Sequence, residues 1–274
     1  MDRQGELNST MRSILVDWIV EVHMKFRLLP ETLYLCINII DRYLCRQEVP
    51  RRQLQLVGVT ALLLACKYEE IYPPEVKDCV YITDRAYTRQ QVLDMEAHIV
   101  KTLQFRMTVP TAHPFLQRFL YICKASRTTK HLANYYMERM LQEYGTLQYR
   151  PSLVAAAAVS LALNNPDILD NDGMDVDAPG VVRIFYVLVH IYIYAIFPLS
   201  RIHLLQPGAL LDYTGFSHDD IIEVAGLLES KVRETNTTSA RRRLVAVKRK
   251  YESDRYDNVS TTFTPPLARH IRVP

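Results

Sequence analysis

Apolar residues recur along this chain with the period of a helix almost from its start. Ile14, Leu15, Trp18, Ile19, Val22 and Phe26 fall at spacings of three and four and define one apolar face. Asn8, Ser9 or Thr10 is placed to cap that helix. Pro30 and Glu31 open a second helix, with Leu33, Ile37, Ile40 and Leu44 on one face. Pro50 sits near the start of a third, roughly Arg52 to Tyr68, which is apolar nearly all round. A helix without a polar face must be surrounded by others, and Gly58, Ala61 and Ala65 let neighbours approach closely. Its length, and Lys67, Glu69 and Glu70 at its end, argue against a membrane span. Tyr72-Pro73-Pro74-Glu75 is a stiff connector, and further helices are expected near Glu75–Tyr81 and Thr88–Leu103.

After the turn at Val109-Pro110 the pattern starts again. Helical runs cover Pro114–Ile122 and roughly Lys130–Glu143, and Arg150-Pro151-Ser152 opens Leu153–Leu163, again apolar all round. Shifting the first half along the chain lays Leu33–Leu44 on Leu132–Glu143, and Arg52–Ala65 on Arg150–Leu163. The chain therefore reads as an all-α repeat in which each unit buries one apolar central helix under amphipathic neighbours. Asn164–Gly180 is acidic and turn-rich and is expected to be a loop. It lacks the spacing and terminal Glu of a calcium-binding loop. Helical signal resumes at Ser217–Glu234, with Ser217 as cap and Asp219 and Asp220 in the first turn. A basic helix is expected at Arg241–Tyr251, followed by an irregular tail from Ser253.

Composition narrows the function. The 274 residues are 49% apolar and 23% charged, as in globular proteins. A net charge of +3, from 33 basic and 30 acidic residues, is too weak a field for a dedicated nucleic-acid binder. Gly is scarce, and neither GxGxxG nor GxxxxGK[ST] occurs. Cys36, Cys45, Cys66, Cys79 and Cys123 are irregularly spaced without a CxxC, so neither a zinc ribbon nor a redox pair is written here, and four of them lie in apolar stretches as small core residues. The odd thiol count and the polar start Asp2-Arg3-Gln4 lead to the expectation of a reducing, intracellular compartment. The eight His are scattered with no HExxH, and no GxSxG elbow occurs. The expectation is a protein that is not an enzyme and needs no metal or cofactor; the catalytic alternative is a site assembled from dispersed residues.

The most informative string is Met11-Arg12-Ser13-Ile14-Leu15-Val16-Asp17-Trp18-Ile19-Val20-Glu21-Val22-His23. It resembles the signature MRxILxDWLxEV that opens the cyclin box. Pro30-Glu31-Thr32-Leu33-Tyr34-Leu35 and Ile40-Asp41-Arg42-Tyr43-Leu44 resemble the second cyclin helix, Leu54-Gln55-Leu56-Val57-Gly58 and Ala65–Glu75 the third and its exit, and Met95-Glu96 the fifth. The resemblance covers about 11–163 and resumes at about 209–267. His23-Met24-Lys25-Phe26 with Pro30-Glu31-Thr32 is similar to mitotic B-type cyclins.

The resemblance implies two tandem five-helix cyclin folds: an N-terminal cyclin box over 1–108, a C-terminal fold over 109–252 with an atypical insert at about 164–208, and a tail over 253–274. It implies a regulatory subunit of nucleus and cytoplasm that forms a heterodimer with a cyclin-dependent kinase, activates it, and controls G2/M progression and mitosis. Kinase contacts carry over to Lys67, Tyr68, Glu70, Glu96, Phe105 and Met107. A groove for substrates and inhibitors bearing basic-x-Leu motifs carries over to Met11, Ile14, Leu15, Trp18, Leu54 and Gln55, with Glu21 receiving the peptide's cation. Taken without the family, Lys67 and Glu96 read as a solvated ion pair, and the stripe through Met11, Ile14, Leu15 and Trp18 faces the core or the solvent alike. Arg12 and Asp41 match a structural pair. Neither a nucleic acid nor a membrane is expected as partner. The alternatives are a transcription factor with twin cyclin-like folds, which a zinc ribbon and a basic surface would favour, and an inactive fragment.

Two departures stand out. Met1 lies just ahead of the box, so the long N-terminal region with its destruction signal, and most of the N-terminal helix at the kinase interface, are expected to be missing. No KEN string occurs. Arg12-Ser13-Ile14-Leu15 and Arg51-Arg52-Gln53-Leu54 carry destruction-box letters but lie in expected packed helices, so the chain is expected to persist through mitotic exit. The connection before Leu211-Asp212-Tyr213 is also long. Within it Val182–Gln206 has no acidic residue, is rich in Ile and Tyr, and has ends that can be encoded as splice sites. It is read as a translated intron, with a lineage-specific insert as the alternative.

Overall fold

The computed structural model describes residues 4–165, 209–237 and 244–263. Five helices build the first unit: α1 (Ser9–Phe26), α2 (Pro30–Leu44), α3 (Leu54–Glu69), α4 (Val76–Ile82) and α5 (Arg89–Thr102). The second unit repeats the plan with α6 (Ala112–Ile122), α7 (Arg127–Leu141), α8 (Pro151–Leu163), α9 (Ala209–Thr214) and α10 (His218–Thr237). Two short helices follow, α11 (Ala246–Tyr251) and α12 (Val259–Thr262). Every regular element among the described residues is helical, as the period of the apolar positions predicts.

The helices begin where local chemistry satisfies their first N–H groups. The Asn8 side chain accepts from the Met11 N–H at 2.9 Å. Thr88 and Gln91 form a reciprocal capping box at α5, and Ser126 caps α7. Ser217 caps α10 by accepting from the Asp220 N–H at 3.1 Å. Pro30 and Pro151 stand in the first turns of α2 and α8, where a missing N–H costs nothing.

The apolar helices α3 and α8 are the centres of their units. Along α3 every residue from Leu56 to Cys66 is buried, and along α8 every residue from Val154 to Ala162. Each fully buried Leu or Val contributes about 1.5–3 kcal/mol, so these two helices supply much of the core. Gly58 is where α1 crosses α3: a Cβ there would stand 2.7 Å from Leu15 Cδ1. Cys36, Cys66 and Cys79 are buried, Cys123 is half-buried and Cys45 is exposed. Burial pushes the Cys66 and Cys79 thiols up to about 12, which leaves them inert.

Helix α1 binds the two units to each other. Arg12, 1% exposed, forks onto Asp41 of α2 and donates its third bond to the Leu141 carbonyl at the end of α7. Ser13 Oγ donates to the Gln142 carbonyl. Asp17 accepts from Gln142 Nε2 at 2.6 Å and from the Ala246 N–H at 2.9 Å. Burial raises the Asp17 carboxyl above its ordinary value, and the backbone bonds from Ala246 and Val245 pull it back down. Helix α11 is thereby seated on α1, and Lys250 locks its other side by donating to both oxygens of the buried Glu138 of α7 at 2.6 and 2.8 Å.

The tail differs from the irregular chain expected from Ser253. A 3₁₀ turn at Asp254–Tyr256 and α12 fold back onto α7, with Val259 and Phe263 buried. The basic helix is shorter than expected, starting at Ala246. All of the insert expected at about 164–208 except its first two residues, the suspected intron at 182–206 included, lies outside the described residues, as do residues 238–243 and the tail beyond 263.

Candidate functional site

Two surfaces collect the candidate residues, at opposite ends of α3. At its C-terminal end Lys67 is exposed and its Nζ lies 2.6 Å from Glu96 Oε1 on α5. The pair sits above a small core of Leu56, Val59, Leu63, Cys79 and Val92 that fastens α3, α4 and α5 together. Tyr68, 48% exposed, hydrogen-bonds through its hydroxyl to Thr108 Oγ1 in the linker between the units. Helix α5 closes with Gln104 and Phe105 both in the left-handed region, φ 54° and 58°. The Phe105 N–H reaches back to the Val100 carbonyl at 3.0 Å, and its ring is turned out to solvent at 74% exposure. A non-glycine residue there is strained, and such strain concentrates at functional surfaces.

Glu70 and Met107 are placed differently. Glu70 Oε1 accepts from the Leu29 N–H at 2.7 Å and from Thr32 Oγ1 at 2.6 Å, so that oxygen is engaged in tying the end of α3 to the start of α2. Met107 is half-buried against the main core.

At the other end of α3, Met11, Ile14, Leu15 and Trp18 of α1 and Leu54 and Gln55 of α3 line one cavity of about 370 Å³. The stripe on α1 straddles the surface: Leu15 is buried as the floor, Met11 and Trp18 are half-buried walls, and Ile14 is 47% exposed at the rim. Sequence reasoning missed Arg51, which lines the same cavity from the 3₁₀ turn Arg51–Gln53 ahead of α3. Its position one turn before Leu54 was the available signal. Glu21 stands outside the cavity, one turn beyond Trp18 on α1, where its Oε1 lies 3.4 Å from Arg249 Nη1. About 18 Å of helix rise separates Gln55 from Lys67, so the two surfaces are distinct.

The sequence matches fit this geometry. The model of the cyclin N-terminal domain matches residues 1–108 and that of the cyclin C-terminal domain residues 110–173. The chain belongs to the cyclin family. Cyclin-B2-1 of Oryza sativa subsp. japonica is 55% identical over 162 residues, covering 59% of this chain and 39% of that protein. G2/mitotic-specific cyclin-2 of Medicago sativa is 52% identical over 162 residues, 59% of this chain and 49% of that one. This cyclin therefore spans less than half the length of these curated relatives. Its fold is also that of a viral cyclin from herpesvirus saimiri, at a TM-score of 0.65 and 18% identity, over 85% of this chain and 89% of the other. The resemblance to B-type cyclins read from His23–Phe26 and Pro30–Thr32 agrees with these relatives.

No group of three His, Cys, Asp or Glu side chains among the described residues is placed to hold a metal ion. No described helix is long and apolar enough to cross a membrane.

Proposed function

We propose that this cyclin is a regulatory subunit that binds a cyclin-dependent serine/threonine kinase, activates it and recruits substrates to it at G2/M and in mitosis. The observation that carries the reading is the surface at the C-terminal ends of α3 and α5: the Lys67–Glu96 pair, with the Tyr68 ring exposed next to Lys67 in the chain and the Phe105 ring exposed just after α5. Exposed aromatic rings and a preformed ion pair, on helices locked by a dry core, are what a protein interface is built from. The family resemblance supports a cyclin-dependent kinase as the partner.

The chain itself does no chemistry. It binds one face of the kinase, favours the conformer whose regulatory helix is turned inward, and so completes the kinase's own Lys–Glu pair and magnesium site. The groove over Met11, Ile14, Leu15, Trp18, Leu54 and Gln55 takes a leucine-bearing docking peptide, and Glu21 attracts its basic residue. An apolar slot supplies affinity and one carboxylate supplies orientation. Nucleus and cytoplasm are the compartments this role requires.

The test is direct. Purified chain is mixed with a monomeric cyclin-dependent kinase and histone phosphorylation is followed. Stimulation that saturates with the chain supports the reading; a folded chain that neither binds nor stimulates any such kinase refutes it.

A further inference from the structure

Arg249 has no role in the activity proposed above, yet its position is determined on both sides. The segment leading into α11 is pinned by the Val245 and Ala246 N–H groups, which donate to Asp17 at 3.3 and 2.9 Å. The residue after Arg249 is Lys250, 7% exposed and bound to both oxygens of Glu138, with the Tyr251 hydroxyl on the same carboxylate at 2.9 Å. Between these buried anchors the Arg249 side chain is turned outward, 65% exposed, and its guanidinium reaches Glu21. Glu21, 44% exposed, stands outside the apolar cavity, one turn along the same face of α1 from its wall residue Trp18.

We propose that Arg249 is an internal competitor for the basic residue of a docking peptide and sets how strongly the groove selects for that residue. This rests on the docking reading of the cavity. The physical basis is charge bookkeeping at one carboxylate. A peptide cation arriving at Glu21 must displace the Arg249 guanidinium or share the carboxylate with it, and it meets like-charge repulsion in doing so. The leucine of the motif enters the apolar slot and is unaffected. The groove then binds apolar determinants at full strength and discounts the basic one. An exposed pair of this kind weighs about two- to fivefold in affinity, which tunes selection without closing the site.

The experiment titrates two fluorescent peptides, one with an Arg-x-Leu motif and one with Ala-x-Leu, into the full chain, Arg249→Ala and Arg249→Lys, with anisotropy as readout. Arg249→Ala should bind the Arg-x-Leu peptide about two- to fivefold more tightly and the Ala-x-Leu peptide unchanged. Arg249→Lys should stay close to the parent, and high salt should erase the difference. In a Glu21→Gln background the gain from Arg249→Ala should shrink. Unchanged or weaker binding of the Arg-x-Leu peptide to Arg249→Ala overturns the proposal while leaving the groove standing. An equal gain for both peptides does the same. If neither peptide binds any of the proteins, the docking reading falls and the role of Arg249 falls with it.

Discussion

Arg12 and Asp41 meet as a two-pronged pair, Nε to Oδ1 at 2.6 Å and Nη2 to Oδ2 at 2.7 Å, while the remaining nitrogen of Arg12 donates to the Leu141 carbonyl of the second unit. One side chain thus joins α1, α2 and the end of α7. Replacing Arg12 by Ala strands Asp41 and the Leu141 carbonyl together. The expected cost is about 3–5 kcal/mol, read as a fall in the denaturant midpoint. Arg12→Lys should recover only part of it, because an ammonium cannot make the fork and reach Leu141 as well. Full recovery by Lys would show that charge alone matters.

Gly58 and Leu15 give a prediction with a change of sign. Ala at position 58 gains about 1 kcal/mol of helix propensity but drives its methyl into Leu15 Cδ1, an overpacking cost of about 1–3 kcal/mol. The net effect should be neutral to destabilising, and displacing Leu15 should disturb the floor of the groove. In a Leu15→Ala background the clash is gone, and Gly58→Ala should become stabilising by about 1 kcal/mol. A double-mutant cycle in urea measures this coupling; independent effects would mean that the two helices part easily.

Lys67→Ala with Glu96→Ala should abolish kinase activation while leaving helix content intact. The Lys67 side chain is half exposed, so losing the pair changes stability by less than about 1 kcal/mol. Circular dichroism checks the fold and histone phosphorylation the function. Undiminished activation by the double variant would remove this surface from the interface.

Trp18→Ala with Glu21→Ala should separate the two activities. Phosphorylation of a short peptide should continue, while that of substrates carrying a docking motif should fall. Equal loss on both substrates would assign these residues to the core.

Stability should depend on the two buried histidines. Burial holds the imidazoles of His23 and His113 below the ordinary 6.5, the Leu29 carbonyl opposing this at His23 and Glu31 at His113. The unfolded chain takes up protons as the pH falls below 6.5 and the folded chain does not. Folding stability should therefore decline from about pH 7 toward pH 5. His23→Gln with His113→Gln should flatten that slope. The raised carboxyl of Asp17 acts in the opposite sense, with stability falling as pH rises through its folded value, but it is common to both proteins and cancels in the difference. Identical slopes would show that other groups govern the decline.

Helix order, the two buried central helices and the membership of Arg12, Asp41, Trp18 and Lys67 in family motifs were legible from residue order alone. Periodicity and motif spacing are local properties: a helix apolar all round must be a central one whatever surrounds it. Leu15, Trp18 and Ile14 share a stripe on α1 in any helical reading, but which of them is floor, wall or rim depends on how closely α3 approaches, and the crossing at Gly58 decides that. Glu70 reads as a kinase-contact residue by resemblance, yet the start of α2 folds against it and engages one of its oxygens. Arg249 and Glu21 are separated by most of the chain, and no pattern in either segment links them. Their contact exists because Asp17 and Glu138 seat α11 on α1 and α7. Long-range pairing of this kind depends on how the helices pack, and packing is set by the whole set of buried surfaces together.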